Sequence, residues 1–239
     1  YNKQCVVTVT GNPEIKAPVP DKVPVNEANN ANNANNANNA NNANDMPESG
    51  GTPAVDISLS DINGHWAEDT IIQAVSEDIV TGYKDGTFRP DGNVTRAEFA
   101  SMLIRGLKPA NDGAPLTFKD KNIIGAWAIQ AVQQAVKLDI INGYADGTFR
   151  PNANITHAEM VAMVMRASGL HVDNMQQSRF SDDADIPKWA KPAVSKAEET
   201  GIIIVGGLPG NKFAPQALST RAEAASAIVR MLKITKEVL

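Results

Sequence analysis

Two arginines stand where helix electrostatics disfavours them. Arg96 and Arg221 each follow a threonine, Thr95 and Thr220, that opens the pattern Thr-x-x-Glu. That pattern is a capping box: the hydroxyl accepts from the third helical N–H and the glutamate reaches back to the cap. A cation at the first helical position opposes the macrodipole, at a cost of roughly a few tenths of a kcal/mol. A planar guanidinium beside unpaired helix-start N–H groups would suit a carboxylate or a phosphate. The other reading is a solvated arginine, or one paired with an acidic neighbour. After Thr156 the matching residue is His157. It is weakly charged at neutral pH and has no fork, which predicts a weaker second site.

Aromatic and acidic residues recur with the same register. Trp66, Trp127 and Trp189 are 61 and 62 residues apart. Each opens a helix and reads either as a core anchor or as a partly exposed ring for the apolar face of a sugar. His65 and Lys188 precede two of them and suggest a polar approach. Asp61, Asp120 and Asp182 could hydrogen-bond sugar hydroxyls, or cap the helix that follows.

These residues sit in an internal repeat that starts near Val55. The segment Gly82-Tyr-Lys-Asp-Gly-Thr-Phe-Arg-Pro90 returns as Gly143-Tyr-Ala-Asp-Gly-Thr-Phe-Arg-Pro151, and in degenerate form as Gly206 to Pro215. Thr95-Arg-Ala-Glu98 returns as Thr156-His-Ala-Glu159 and Thr220-Arg-Ala-Glu223. Five and eight residues after each tryptophan stand Ile71 and Ala74, Val132 and Ala135, Val194 and Ala197, on one helical face. The thirteenth residue, Ile79, Ile140 or Ile202, marks the helix exit. Asp85-Gly86 and Asp146-Gly147 supply the positive-φ preference of a turn, and Pro90, Pro151 and Pro215 restrain the chain beyond it.

After each capping box the apolar residues fall at i, i+3 and i+4: Phe99, Met102, Leu103; Met160, Met163, Val164; Ala224, Ala227, Ile228. Each repeat is therefore a helix, a loop and a capped helix. So small a unit exposes an apolar stripe, so the three pack their stripes around a pseudo-threefold axis.

Upstream the pattern stops. Residues 1–16 read as the last strand of a further β domain, with Val6 to Thr10 β-branched and Cys5 within it. Residues 17–54 read as a disordered Pro- and Asn-rich linker, with an r.m.s. span of roughly 30–40 Å. The repeats divide as 55–110, 111–172 and 173–239. One cysteine allows no internal disulfide. The chain of 239 residues has a formal net charge of -5, which argues against binding nucleic acid or any polyanion by bulk charge. No window reaches the length of a membrane span.

The segments Gly64-His65-Trp66-Ala67-Glu68, the two GYxDGTFRP copies and the TRAE motifs together resemble the S-layer homology (SLH) family over Val55 to Leu239. The resemblance implies an all-α, mostly helical fold: three tandem helix-loop-helix repeats in a pseudo-threefold prism with a central three-helix bundle. It implies an extracellular module of the cell wall or S-layer that binds secondary cell wall polymer in grooves between repeats. The polymer commonly bears pyruvylated N-acetylmannosamine, and the module displays an upstream cargo domain. By that resemblance Arg96 and Arg221 pair with the pyruvate ketal carboxylate, and Trp66, Trp127, Asp61 and Asp120 shape the sugar site. His157 and Trp189 occupy the corresponding positions of the other copies. An S-layer lattice or protein-interaction module is the alternative. No nucleophile–base set or metal cluster is legible, so no enzyme, cofactor or metal is expected; the calcium loop pattern is not met.

Overall fold

The computed structural model describes residues 59–172, 177–203 and 210–238. The expected β remnant, Cys5, the linker and the start of the third copy's loop lie outside them.

The repeats fold as pairs of helices: α1 (Glu68–Ser76) with α2 (Arg96–Leu107), α3 (Ala126–Lys137) with α4 (His157–Ser168), and α5 (Lys191–Glu199) with α6 (Arg221–Val238). Among the described residues there are no strands, only three isolated bridges. The first helix of each pair buries the residues five and eight places after its tryptophan. It then ends on a left-handed residue: Asp78 at φ 60°, Asp139 at 56° and Gly201 at 76°. That reversal turns Ile79, Ile140 and Ile202 back into the core, each 1% exposed, which is why the thirteenth position marks the exit.

The second helix of each pair starts on its Thr-x-x-Glu box. In α2 and α4 both reciprocal bonds are present. At α6 the Thr220 N–H donates to Glu223 and the Glu223 N–H donates to the Thr220 hydroxyl. Removing such a cap typically costs about 1 kcal/mol.

Helices α2, α4 and α6 pack on one another and form the central bundle. The outer helices do not pack on their own partners in sequence. Helix α3 lies on α2, α5 on α4, and α1 on α6. Each outer helix thus covers the inner helix of the preceding repeat, and the first repeat closes the ring against the last.

The axis is sealed by a small hydrogen-bond circuit. The residues just before the three caps are Val94, Ile155 and Ser219, all 0% exposed. The Ile155 N–H donates to the Val94 carbonyl, Ser219 to Ile155, and Val94 to Ser219, at 2.9–3.0 Å. Three repeats therefore satisfy backbone groups that one repeat would leave orphaned.

The inner helices are not equally bulky. Where α2 carries Phe99 and Met102, and α4 carries Met160 and Met163, α6 carries Ala224 and Ala227. The bundle is fully packed at Phe99, Leu103 and Val164, whose side chains have no exposure. It is thinner along α6.

Candidate inter-repeat grooves

The GYxDGTFRP loops are held open by their own aspartates. The N–H groups of Phe88 and Arg89 donate to the two oxygens of Asp61, both at 2.7 Å. Asp120 receives Phe149 and Arg150 at 2.8 and 2.7 Å, and Asp182 receives Phe213 and Ala214 at 2.8 Å. Arg89, Arg150 and Ala214 are left-handed, at φ 57°, 59° and 51°. A non-glycine residue there costs on the order of 1 kcal/mol, which the paired carboxylate bonds offset. Helix capping by these aspartates is thereby corrected: the 3₁₀ turns after Asp120 and Asp182 have no side-chain cap, and the carboxylates brace the loops instead.

Within the loop, Asp85 accepts from the Thr87 hydroxyl at 2.6 Å and from Arg89 at 2.9 Å. The Thr87 hydroxyl first, then the Arg89 guanidinium, pulls its carboxyl down to about 2. Asp146 repeats the arrangement with Thr148 and Arg150. The positive φ of the turn belongs to Gly86 and Gly147, at 78° and 83°; the aspartates contribute side-chain bonds.

The helix-start residues reach across to the next repeat. Arg96 is 4% exposed; its Nε donates to the Phe149 carbonyl at 2.9 Å, 53 residues away. Its Nη1 lies 3.4 Å from Glu159, and its guanidinium stacks 4.6 Å from the Tyr144 ring centre. The Tyr144 hydroxyl donates to the same Glu159. Burial pushes the Tyr144 phenol well above its ordinary range. The Arg96 guanidinium is thus matched by a carboxylate, a carbonyl and an aromatic face.

Arg221 makes the equivalent reach from repeat 3 to repeat 1. Its Nε donates to the Phe88 carbonyl at 2.9 Å and its Nη2 to Thr81 at 3.2 Å. It stacks on Tyr83 and Phe88, 4.8 and 4.7 Å from the ring centres. Its Nη1, however, is buried with no partner, and so is the Thr81 hydroxyl. Buried polar groups are almost always satisfied, so this guanidinium keeps donor capacity that the joint does not use.

His157 takes the third position, 8% exposed, from repeat 2 to repeat 3. Its Nδ1 is 2.9 Å from the Phe213 carbonyl and its Nε2 is 3.4 Å from Glu223. The histidine is therefore a joint residue like the arginines.

One expectation about these helix starts is corrected. The first N–H groups are not unpaired. Arg96 and Ala97 donate to the carbonyls of Ala153 and Pro151, His157 and Ala158 to Ala217 and Pro215, and Arg221 and Ala222 to Gly92 and Pro90, all at 2.9–3.1 Å. The neighbouring loop fills the anion position that the macrodipole creates. Any anion site here is a side-chain site.

The tryptophans separate. Trp66 is 63% exposed, whereas Trp127 and Trp189 are half-buried against the core. Trp66 walls a cavity of about 600 Å³ between α4 and α6, with Met160, Phe180, Ile202 and Phe213 on its apolar side and His157, Glu223, Asp91, Lys212 and Arg230 around it. Ala227 lines it at the position of Met102 and Met163, so the thin face of α6 is what opens it.

Sequence reasoning on single residues left out Tyr83, Tyr144, Glu159, Glu223 and Thr81. The first four lie inside the repeated motifs; Thr81 stands just before one and carries no signal of its own. Among the described residues, no cluster of His, Cys, Asp and Glu is arranged to hold a metal, and no helix is long and apolar enough to cross a membrane.

The comparisons agree with this architecture. The family model of the S-layer homology domain matches residues 58–100, 117–161 and 179–225, one segment in each helix pair. The chain is 39% identical over 183 residues to an exoglucanase, XynX, of Acetivibrio thermocellus, covering 74% of this chain and 16% of that protein. It is 37% identical over 115 residues to a cellulosome-anchoring protein of the same species, covering 46% of this chain and 26% of that one. It is 31% identical over 169 residues to an S-layer protein of Bacillus thuringiensis subsp. finitimus, covering 70% and 20%. The chain spans between a tenth and a fifth of the length of the first curated relatives it matches. Three matched segments, in three helix pairs closed into one ring, make this chain a member of the S-layer homology domain family.

Proposed function

We propose that the chain anchors a longer surface protein to the cell wall by holding an acidic secondary cell wall polymer in its inter-repeat grooves. The family and its surface-protein relatives place the module at the cell surface. The relatives named as enzymes share only a small part of their length with it, and the recurrence of that part in an anchoring protein and an S-layer protein supports a non-catalytic reading.

The polymer's identity rests on chemistry. The observation that carries it is the unpartnered Nη1 of Arg221, buried in the joint between repeats 3 and 1. A carboxylate is the acceptor that a guanidinium edge fits best. The pyruvate ketal of an N-acetylmannosamine residue supplies one carboxylate on a sugar. Trp66 offers an exposed ring to a sugar face beside His157. The same rotation assigns Trp127 to the Arg221 groove and Trp189 to the Arg96 groove. Asp61 and Asp120 act by bracing the loops whose aromatic rings line these grooves. The Arg96 groove, already closed by Glu159 and Tyr144, is the least suited of the three.

Calorimetric titration of the full chain with a pyruvylated N-acetylmannosamine disaccharide tests this. Removing the pyruvate, or replacing Arg221→Ala, lowers affinity at least about tenfold, the 1.4 kcal/mol expected for one charged bond. Equal affinity for the pyruvylated and bare sugars would discard the carboxylate assignment.

A further inference from the structure

The three joints are built on one plan, but only one of them can lose its charge near neutral pH. Two hold an arginine; the joint between repeats 2 and 3 holds His157. The Phe213 carbonyl, 2.9 Å from Nδ1, can only accept, so Nδ1 carries a hydrogen. A neutral ring of that tautomer turns a bare lone pair at Nε2 toward Glu223, 3.4 Å away. Glu223 accepts from the Thr220 N–H and hydroxyl at 2.8 and 3.0 Å, as a carboxylate in a capping box does. Two acceptors facing each other repel. Both contacts are favourable only when the imidazole carries two hydrogens.

We propose that His157 is a proton-operated latch that fixes the repeat 3 loop and Glu223 against repeat 2 when protonated and releases them when neutral. The other charged groups around it do not remove the effect. From α6, Glu223 favours the proton, while Arg230 on the same cavity opposes it. From the repeat 3 loop comes Lys212, and from repeat 1 comes Asp91, itself 3.2 Å from His65. On its own helix Glu159 is tied to Arg96. Burial works against the charged ring, but the Glu223 and Phe213 bonds outweigh it and leave the histidine above its ordinary value. Glu223, raised by burial, is lowered more by His157 and Thr220.

The sign follows from linkage. The raised group gives its full stabilisation below about pH 6.5, the unfolded value, and loses it as pH rises through the folded value. The same change alters the cavity, because a neutral His157 leaves Glu223 uncompensated on its wall. If the groove takes an acidic glycan, which rests on the function proposed above, the acid form binds it better.

The test uses the full chain. NMR titration of the three histidine rings, assigned by His65→Gln and His171→Gln, places His157 above about 6.5. Between about pH 5.5 and 8.5 the wild type loses on the order of 2–4 °C of thermal midpoint relative to His157→Arg, which keeps its charge. A His157 ring titrating at or below about 6.5 overturns the latch. Parallel midpoint profiles for the two proteins overturn it as well, and the ring titration stands alone should the variant not fold. Calorimetry with the pyruvylated disaccharide then shows wild-type affinity falling across the same titration and His157→Arg affinity staying level. No binding at any pH, with His157 titrating as expected, removes the ligand clause and the proposed function but leaves the latch standing.

Discussion

The joint between repeats 1 and 2 and the joint between repeats 3 and 1 use the same arginine on the same loop carbonyl. Arg96 ends on Glu159, which also receives the Tyr144 hydroxyl. Arg221 ends on nothing at Nη1, and Tyr83 is only half-buried. One motif thus makes a closed structural ion pair in one place and leaves a guanidinium N–H without a bond in another. The difference shows that a repeated sequence motif fixes where a side chain starts, while its chemistry depends on what the adjacent repeat offers. The motif by itself is therefore weak evidence for three equal binding sites.

Substitutions can break that contrast, and the largest effect falls at the closed joint. Arg96→Ala leaves Glu159, 5% exposed, as a buried charge without its cation, and should destabilise the fold by about 3–5 kcal/mol in urea or guanidinium unfolding. Arg221→Ala removes bonds to two carbonyls and strands no carboxylate bonded to it. Its cost should be about 1–3 kcal/mol, with glycan binding the more sensitive readout. Equal destabilisation by the two alanines would erase the distinction drawn here.

A third change sharpens it from the axis. Ser219 sits where the other repeats have Val94 and Ile155, and its buried hydroxyl has no partner. Ser219→Ala should raise stability by up to about 1 kcal/mol by the same unfolding measurement, because it removes an unsatisfied buried hydroxyl without adding atoms to a closed site. The smallest effect on folding belongs to Trp66→Ala. With the ring 63% exposed, stability should move by no more than about 0.5 kcal/mol while sedimentation with wall sacculi weakens. A large stability loss there would mean that Trp66 anchors the core after all.

Much of the scaffold was legible because it is local. Thr95 and Glu98 are three residues apart, and so are Thr156 and Glu159; such pairs meet wherever a helix starts. The buried faces at Ile71 and Ala74, or Met160 and Met163, follow from a period of 3.6 residues. The roles of Asp61, Asp120 and Asp182 were not legible. Their partners are N–H groups about thirty residues on, one of each pair at a left-handed loop position that no residue type announces, since Arg89 and Ala214 are not glycines. The Trp reading split for a related reason: three equal positions in sequence meet unequal surroundings, and only Trp66 stands clear of the core.

The sequence by itself determined the unit: helix, loop and capped helix, three times, with an apolar stripe that cannot stay exposed. It also determined that the arginines would be unusual, because a cation at a helix start has to be explained by something beyond the helix. Tertiary structure alone decided the closure, in which each outer helix covers the preceding repeat and α1 returns to α6. That order brings Arg221 to Phe88 across 133 residues and gives the helix-start N–H groups to foreign carbonyls. Periodicity and capping are set by neighbours along the chain, whereas a partner across the axis is set by how three stripes share one core.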